Sequence, residues 1–359
     1  MTPTLNDKIE GLLLGTAVGD TLGLPAEGIG PEMIKRLKWN QPWKQRLILG
    51  RGMWSDDTEH TIMLSQALLA SEGDIDFFTK QFAWELRWWV VGLPAGIGFA
   101  TLRAILKLWL GISPHHSGVF SAGNGPCMRT SIIGACYHDD AARRRELVSA
   151  QTQITHTDPK ALIATLAVTE LAAMLAISTA APSKKAVLSC LSGLSDNHSW
   201  QEIISKMSES WDREATLAEY TESIGCSVRK GISGYAYHTV PAVIYSGVLH
   251  EWNFVAVVND ILCAGGDTDS TAAIAGALCG VFGGRQCIPS HWIDRISECP
   301  TRVSDLSRLA AALSHRTPIR IRPYWAPTLF LRNIFFIFAV LCHGLSRILP
   351  PFIRRKIIS

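Results

Sequence analysis

The sequence carries almost no excess charge of either sign. Its 34 Lys+Arg against 31 Asp+Glu leave +3 over 359 residues. That is too little for a surface that neutralises a phosphate backbone, so no nucleic-acid partner is expected. Charged residues are also few, 18% against 47% apolar, which excludes a disordered chain. The 29 glycines and 17 prolines are too few for a collagen-like or low-complexity chain. Cysteine is odd in number, nine, with no C-x-x-C pair, and most of it sits in apolar runs such as Ala277-Leu278-Cys279-Gly280. This reads as reduced core cysteine in a cytoplasmic protein rather than a disulfide framework or zinc site. A secretory leader is not expected, because Asp7 and Glu10 precede the first apolar run and Asp20 interrupts it. Alternating strand patterns are scarce, and Asn124-Gly125 is the one Asn-Gly dipeptide. No G-x-G-x-x-G, Walker-type, H-E-x-x-H or G-x-S-x-G sequence occurs, so those enzyme classes lack support.

Helical periodicity is plentiful. Ile9, Leu12, Leu13, Thr16 and Ala17 share one face, and Ile62, Leu64, Ala67, Leu68 and Leu69 form another. Asp158-Pro159 supplies a cap and a first-turn proline ahead of the Ala/Leu segment Ala161–Ile177. Further helices are expected at Trp84–Val91, Gly98–Trp109, Arg143–Thr152, Lys184–Leu191, Trp200–Met207, Arg213–Lys230, Trp252–Cys263, Thr271–Phe282 and Val303–Leu313. The fold class is all-α. Gly11, Gly15 and Gly19, like Gly276, Gly280 and Gly284, recur every four residues. Each interior glycine costs a helix about 1 kcal/mol, so the stripes predict two core helices in close approach. One helical domain over residues 5–315 and a tail over 316–359 fit this pattern.

Two acidic segments each stand directly before an apolar helix: Trp54-Ser55-Asp56-Asp57-Thr58 and Gly265-Gly266-Asp267-Thr268-Asp269-Ser270. Helix capping accounts for one such residue per helix. It does not account for adjacent aspartates, or for Asp267 and Asp269 behind a Gly-Gly suited to a tight turn. Hard-cation binding is the alternative, since Mg²⁺ and Mn²⁺ take carboxylate and hydroxyl oxygens. It requires the two loops to meet in space. The remaining signals are weaker. Ala122–Arg129 could cradle a phosphate with glycine-exposed amides and Arg129, or be a plain turn. His156 stands before a helix start, where anions bind well, or serves as a cap. Glu27 taken alone is an ordinary loop acid.

In order along the chain, GLLLGTAVGDTLGLPAEG (Gly11–Gly28), WSDDT (Trp54–Thr58), GNGPCMR (Gly123–Arg129), THTDP (Thr155–Pro159) and GGDTDS (Gly265–Ser270) resemble the ADP-ribosylglycohydrolase family. The resemblance implies a single all-α domain with two Mg²⁺ or Mn²⁺ ions. By position, it implies Ser55, Asp56, Asp57, Asp267, Asp269 and Ser270 as metal ligands, with Glu27, Asp56 and Asp269 catalytic. It also implies that Gly123, Asn124, Gly125, Met128, Arg129 and His156 bind ADP-ribose. Ser270 stands where the family often has Thr, and it keeps the hydroxyl. Some members carry an Asp-Ile-Gly near the site; this chain has Gly96-Ile97-Gly98, which leaves the proton-transfer group unassigned.

The activity so implied is removal of ADP-ribose from modified protein side chains, with an arginine N-glycoside the first choice. The other readings are an antidote that binds and blocks an ADP-ribosylating toxin, and a hydrolase of free ADP-ribosyl metabolites. The family motifs do not cover the tail, Thr328–Ser359. Its apolar run Ile334–Leu341 is shorter than the roughly 20 residues of a spanning helix. A terminal helix folded back on the bundle, hiding Phe335, Phe336 and Phe338, is expected. The alternative is attachment to a membrane surface through Arg347, Arg354, Arg355 and Lys356.

Overall fold

The first helix begins on a reciprocal cap: the Thr4 hydroxyl accepts from the Asp7 amide, and the Asp7 carboxylate accepts from the Thr4 amide. The structure is a computed structural model that describes residues 3–40, 42–317 and 326–346. Eleven of its helices frame the argument. They are α1 (Leu5–Gly23), α2 (Asp56–Ser71), α3 (Ile75–Val91), α4 (Phe99–Trp109), α5 (Ala141–Gln153), α6 (Pro159–Ile177), α7 (Ala236–Leu249), α8 (Phe254–Ala264), α9 (Thr268–Gly283), α10 (Val303–His315) and α11 (Ala326–Ser346). Further helices, among them His198–Asp212, lie between them, and no strand forms among the described residues beyond isolated bridges such as Ile29 with Gly266. The fold is all-α.

The glycine stripes join α1 to α9. A Cβ added to Gly15 would lie 2.1 Å from the Gly276 carbonyl oxygen, and one on Gly19 would lie 2.0 Å from that of Ala272. Only glycine permits backbones this close. The contact continues to the end of α1, where Thr268 donates to the Gly23 carbonyl at 2.8 Å. Beyond it, the Gly28 amide donates to Gly266 and the Gly266 amide to Ile29. The start of α9 is therefore fixed beside the segment holding Glu27. Gly265 and Gly266 take φ of +68° and +92°, so the Gly-Gly turn is a backbone requirement.

Two helical expectations change. Of Arg213–Lys230 only Leu217–Ser223 is helical, because Gly225 and Gly231 take positive φ and turn the chain. Among the longer helices the unexpected one is α7, which is almost wholly buried and carries Pro241 inside it. Its β-branched and aromatic residues argue against a helix locally, and tertiary packing overrides them.

The tail helix α11 packs on the domain by one side. Leu329, Arg332, Asn333, Phe336, Ala339 and His343 are buried. Asn333 donates to the Gly92 carbonyl at 2.7 Å, just past the end of α3. Of the three phenylalanines expected inside, only Phe336 is; Phe335 and Phe338 are 48% and 62% exposed. Consecutive helical residues differ by about 100° around the axis, so one docking face cannot hide all three. Arg347, Arg354, Arg355 and Lys356 lie outside the described residues.

Candidate active site

Helix α2 starts with Ser55, whose hydroxyl accepts from the Asp57 amide, so the capping position is filled by serine. Asp56 and Asp57 are then surplus to capping. At the other helix, Asp267 occupies the cap position without capping: its carboxylate instead accepts from Asn124 Nδ2 at 2.6 Å. Capping alone therefore does not explain either cluster. The two meet directly, because Asp57 Oδ2 accepts from Ser55 Oγ at 3.1 Å and from Ser270 Oγ at 3.4 Å.

Beneath them lies a residue the sequence reading passed over. Asp20, on α1 and fully buried, accepts from the amides of Ser55 and Thr58 and, at 2.6 Å, from the Thr58 hydroxyl. It holds the start of α2 against α1. Its one local signal was a carboxylate inside an apolar helical run.

The acids are crowded and dry. Burial raises Asp56, Asp57 and Asp269 well above the ordinary carboxylate range. Neighbouring carboxylates push the same way: Asp20 on Asp56 and Asp57, Glu27 and Asp267 on Asp269. Burial also raises Asp20, to about 6, and Asp267, where the Asn124 bond opposes it. Among the described residues, no ion pair forms with any of these five aspartates. Asp57 Oδ1 and Asp269 Oδ1 are buried with no hydrogen-bond partner. A buried unsatisfied oxygen costs about 1–3 kcal/mol, more when charged. Hydroxyl and carboxylate oxygens with such orphaned lone pairs are the donor chemistry of a hard cation. Among the described residues, no three His, Cys, Asp or Glu side chains close into a ready-made ligand group, so the donors are gathered without forming a finished coordination sphere.

The cluster floors a cavity of about 660 Å³, within the range of small-molecule sites. Glu27, Asp56, Asp267, Asp269, Ser270, Gly123, Asn124, Gly125, Met128 and His156 all line it. Ser55 and Asp57 lie behind this surface, both under 3% exposed. Gly96 and Gly98 line it too, and a Cβ on Gly96 would stand 3.4 Å from Asp56 Oδ1. The Gly96-Ile97-Gly98 loop thus reaches the acids without bringing one of its own. The wall formed by Lys230–Gly234 was not anticipated from sequence; Gly234 accepts from the Asn124 amide at 2.9 Å.

Several amides of the glycine loop are taken up within the fold, that of Gly123 by Ser121 Oγ at 3.3 Å. The amides of Asn124, Cys127 and Met128 are engaged with Gly234 and Asn124 carbonyls. What Gly123 and Gly125 provide is proximity: an added Cβ would sit 3.2 Å and 3.1 Å from the His156 ring. Arg129 does not line the cavity. It is fully buried, with Nε donating to Gln151, Nη2 to Thr155 Oγ1 at 2.9 Å, and Nη1 3.1 Å from His60 Nδ1. Thr155 in turn contacts His156 Nδ1 at 2.9 Å, so Arg129 positions the His156 segment from below. Burial and the adjacent Arg129 lower His156 to about 3, so at neutral pH it meets a ligand as an uncharged imidazole.

A second acid group lies one helical turn away. Arg332, from α11, bonds Glu298 (Nη2–Oε1 2.5 Å), approaches Glu59 Oε1 at 3.4 Å, and donates to the Trp54 carbonyl at 2.6 Å. Glu298 also accepts from the Trp54 amide at 2.8 Å, and Glu59 from Trp89 Nε1. The residue immediately before Ser55 is thus gripped at both its amide and its carbonyl.

Known proteins agree with this architecture. Residues 1–320 match the family profile "ADP-ribosylglycohydrolase". The ADP-ribosyl-[dinitrogen reductase] glycohydrolase of Rhodospirillum rubrum is 27% identical over 82% of this chain and 92% of its own. The ADP-ribosylarginine hydrolase Tri1 of Pseudomonas putida is 27% identical over 87% of this chain and 79% of its own. A solved structure titled "ADP-ribosylglycohydrolase-related protein complex" shares the fold, with a TM-score of 0.61 at 24% identity over 88% of this chain and 99% of that one. The acid-floored cavity between α2 and α9 is therefore set in a family scaffold: the chain belongs to the ADP-ribosylglycohydrolase family.

Proposed function

We propose that this protein is a metal-dependent hydrolase that removes ADP-ribose from modified protein side chains, with ADP-ribosylarginine the preferred linkage. The observation that carries the reading is the pair of orphaned buried oxygens, Asp57 Oδ1 and Asp269 Oδ1, in an acid cluster whose aspartates form no ion pair among the described residues. Ser55, Asp56, Asp57, Asp267, Asp269 and Ser270 would hold two Mg²⁺ or Mn²⁺ ions. The ions would supply Lewis-acid stabilisation of charge at the ribose and lower the pKa of bound water. The arginine preference leans on the named activity of the Pseudomonas putida relative.

The chain's own residues then have distinct tasks. Asn124 fixes the Asp267 carboxylate, and Asp20 fixes the backbone of Ser55 and Thr58. Gly123 and Gly125 let a ligand approach the His156 ring, which offers an uncharged hydrogen-bonding nitrogen. Glu27, exposed at the cavity, is the acid placed to accept a proton from the attacking water. Water adds at ribose C1, the C1–N bond to the side chain breaks, and the departing guanidine takes a proton. The free products are ADP-ribose and the unmodified side chain.

The deciding experiment incubates the protein with mono-ADP-ribosylated arginine and serine substrates, with Mg²⁺ or with EDTA. Release of ADP-ribose from the arginine substrate alone, abolished by EDTA, is the expected result. Release that persists in EDTA contradicts the metal reading. Tight toxin binding without hydrolysis, surviving Asp56→Asn, would favour the blocking role instead.

A further inference from the structure

The charge of this protein is divided along the chain. The last 54 residues hold nine of the 34 basic residues and none of the 31 acidic ones, so they carry +9 while the first 305 carry −6. Within that basic region lies α11, whose Pro327–Leu345 stretch is one of two segments long and apolar enough to cross a membrane among the described residues. The other, Pro159–Ile177, is core, with 67% of its window buried; the α11 window is only 33% buried.

The orientation of α11 is informative. Its two titratable cationic side chains, Arg332 and His343, both turn into the protein, Arg332 onto Glu298 and Glu59 and His343 towards the Pro25 carbonyl. A spanning helix would break these contacts and bury Arg332 in lipid, so a span is disfavoured. The outward side has no charge at all. It presents Leu331, Ile334, Phe335, Phe338, Leu341 and Leu345, each 47–67% exposed. The neighbouring helix α3, joined to it through the Asn333–Gly92 bond, also exposes Trp84 and Trp88, at 50% and 48%. Exposed indoles suit the boundary between headgroups and acyl chains. Arg347, Arg354, Arg355 and Lys356 follow in sequence.

We propose that α11 attaches this protein to an anionic membrane surface. Its outward apolar face enters the interface, and the adjoining basic residues supply the electrostatic attraction. Stable attachment takes two such signals, since one apolar anchor alone is marginal. A second copy of the chain is the competing occupant, but a dimer across this face would set two basic regions against each other.

The test is co-sedimentation of the full chain with vesicles of phosphatidylcholine alone or mixed with phosphatidylglycerol, alongside light scattering without lipid. A monomer that pellets only with the anionic vesicles is expected. The joint variant R354Q/R355Q/K356Q should bind about a hundredfold more weakly at low salt. Phe335→Ser with Phe338→Ser should bind about tenfold more weakly or worse. These side chains are already exposed, so hydrolysis of a soluble substrate should be unchanged in that variant, which shows that it folds. Recovery in the supernatant with both vesicle types would overturn the proposal. So would equal binding to neutral vesicles, or a dimer that the phenylalanine variant dissolves.

Discussion

The Glu59 and Glu298 side chains are buried as deeply as Asp57 and Asp269, but their neighbours answer them differently. The glutamates have Arg332 between them, with side chains 3% and 1% exposed in the Arg332–Glu298 pair, together with the Trp89 indole and the Trp54 amide. Burial still holds Glu298 at about 7, opposed by Arg332. The aspartates have hydroxyls, one amide side chain and each other. They retain two oxygens with no partner and open on a cavity. The first group is structurally complete and the second is short of positive charge. The comparison teaches where a cation is needed: at the acids the fold has left uncompensated, and not at every buried acid.

Removing the internal cation should do the most damage. Arg332→Ala leaves Glu59 and Glu298 buried without it and is expected to cost about 3–5 kcal/mol of stability, read as a fall in the unfolding midpoint. Combining it with Glu59→Gln and Glu298→Gln should return part of the loss. A single variant as stable as the parent would break the contrast between the two groups.

At the incomplete group the opposite sign is expected for folding. Asp56→Asn and Asp269→Asn should lower hydrolysis by about 10²–10³-fold, because a neutral amide is a poor stabiliser of charge in the transition state. Without metal, both variants should unfold no lower than the parent, since one repelling carboxylate is gone. Near-normal turnover at saturating Mg²⁺ in either would contradict the assignment.

His156→Ala should weaken ADP-ribose binding by about tenfold or less, the loss of one neutral hydrogen bond, and leave metal affinity unchanged. Arg129→Ala sharpens this: with its guanidinium buried beneath the loop, it should lower stability as well as affinity. Calorimetry and thermal unfolding separate the two.

The smallest effect is a pH slope. Glu298 has a folded pKa of about 7, above the ordinary 4.5, so the folded state binds its proton more readily than the unfolded chain. Its contribution to stability is full below about 4.5 and is lost as pH rises towards 7. Glu298→Gln removes this titration. Its unfolding midpoint should fall less steeply between pH 5 and pH 8 than the parent's, and parallel slopes would count against it.

What could be read from sequence was whatever is local. Helical periodicity announced the all-α fold, the glycine stripes announced the α1–α9 contact, and each acidic cluster is contiguous. Contacts that single side chains make between distant segments were silent. Arg332 lies 273 positions from Glu59, and its basic, apolar surroundings read as tail. Asp20 looked like a break in an apolar run because its partners, Ser55 and Thr58, are supplied by another helix. Arg129 was assigned to the ligand because a loop sequence does not reveal which way a side chain turns. Helix α7 was missed because Pro241 and its β-branched neighbours outweigh a burial pattern that only the assembled core creates.

The central claim is that divalent cations complete the acid cluster between α2 and α9. Its most direct test is calorimetric titration of Mg²⁺ and Mn²⁺ into chelator-treated full-length protein, beside Asp57→Asn and Asp269→Asn. The account predicts saturable binding to the parent with a rise in its unfolding midpoint, and loss of both in each variant. A parent that binds neither ion, or variants that bind as it does, would contradict it.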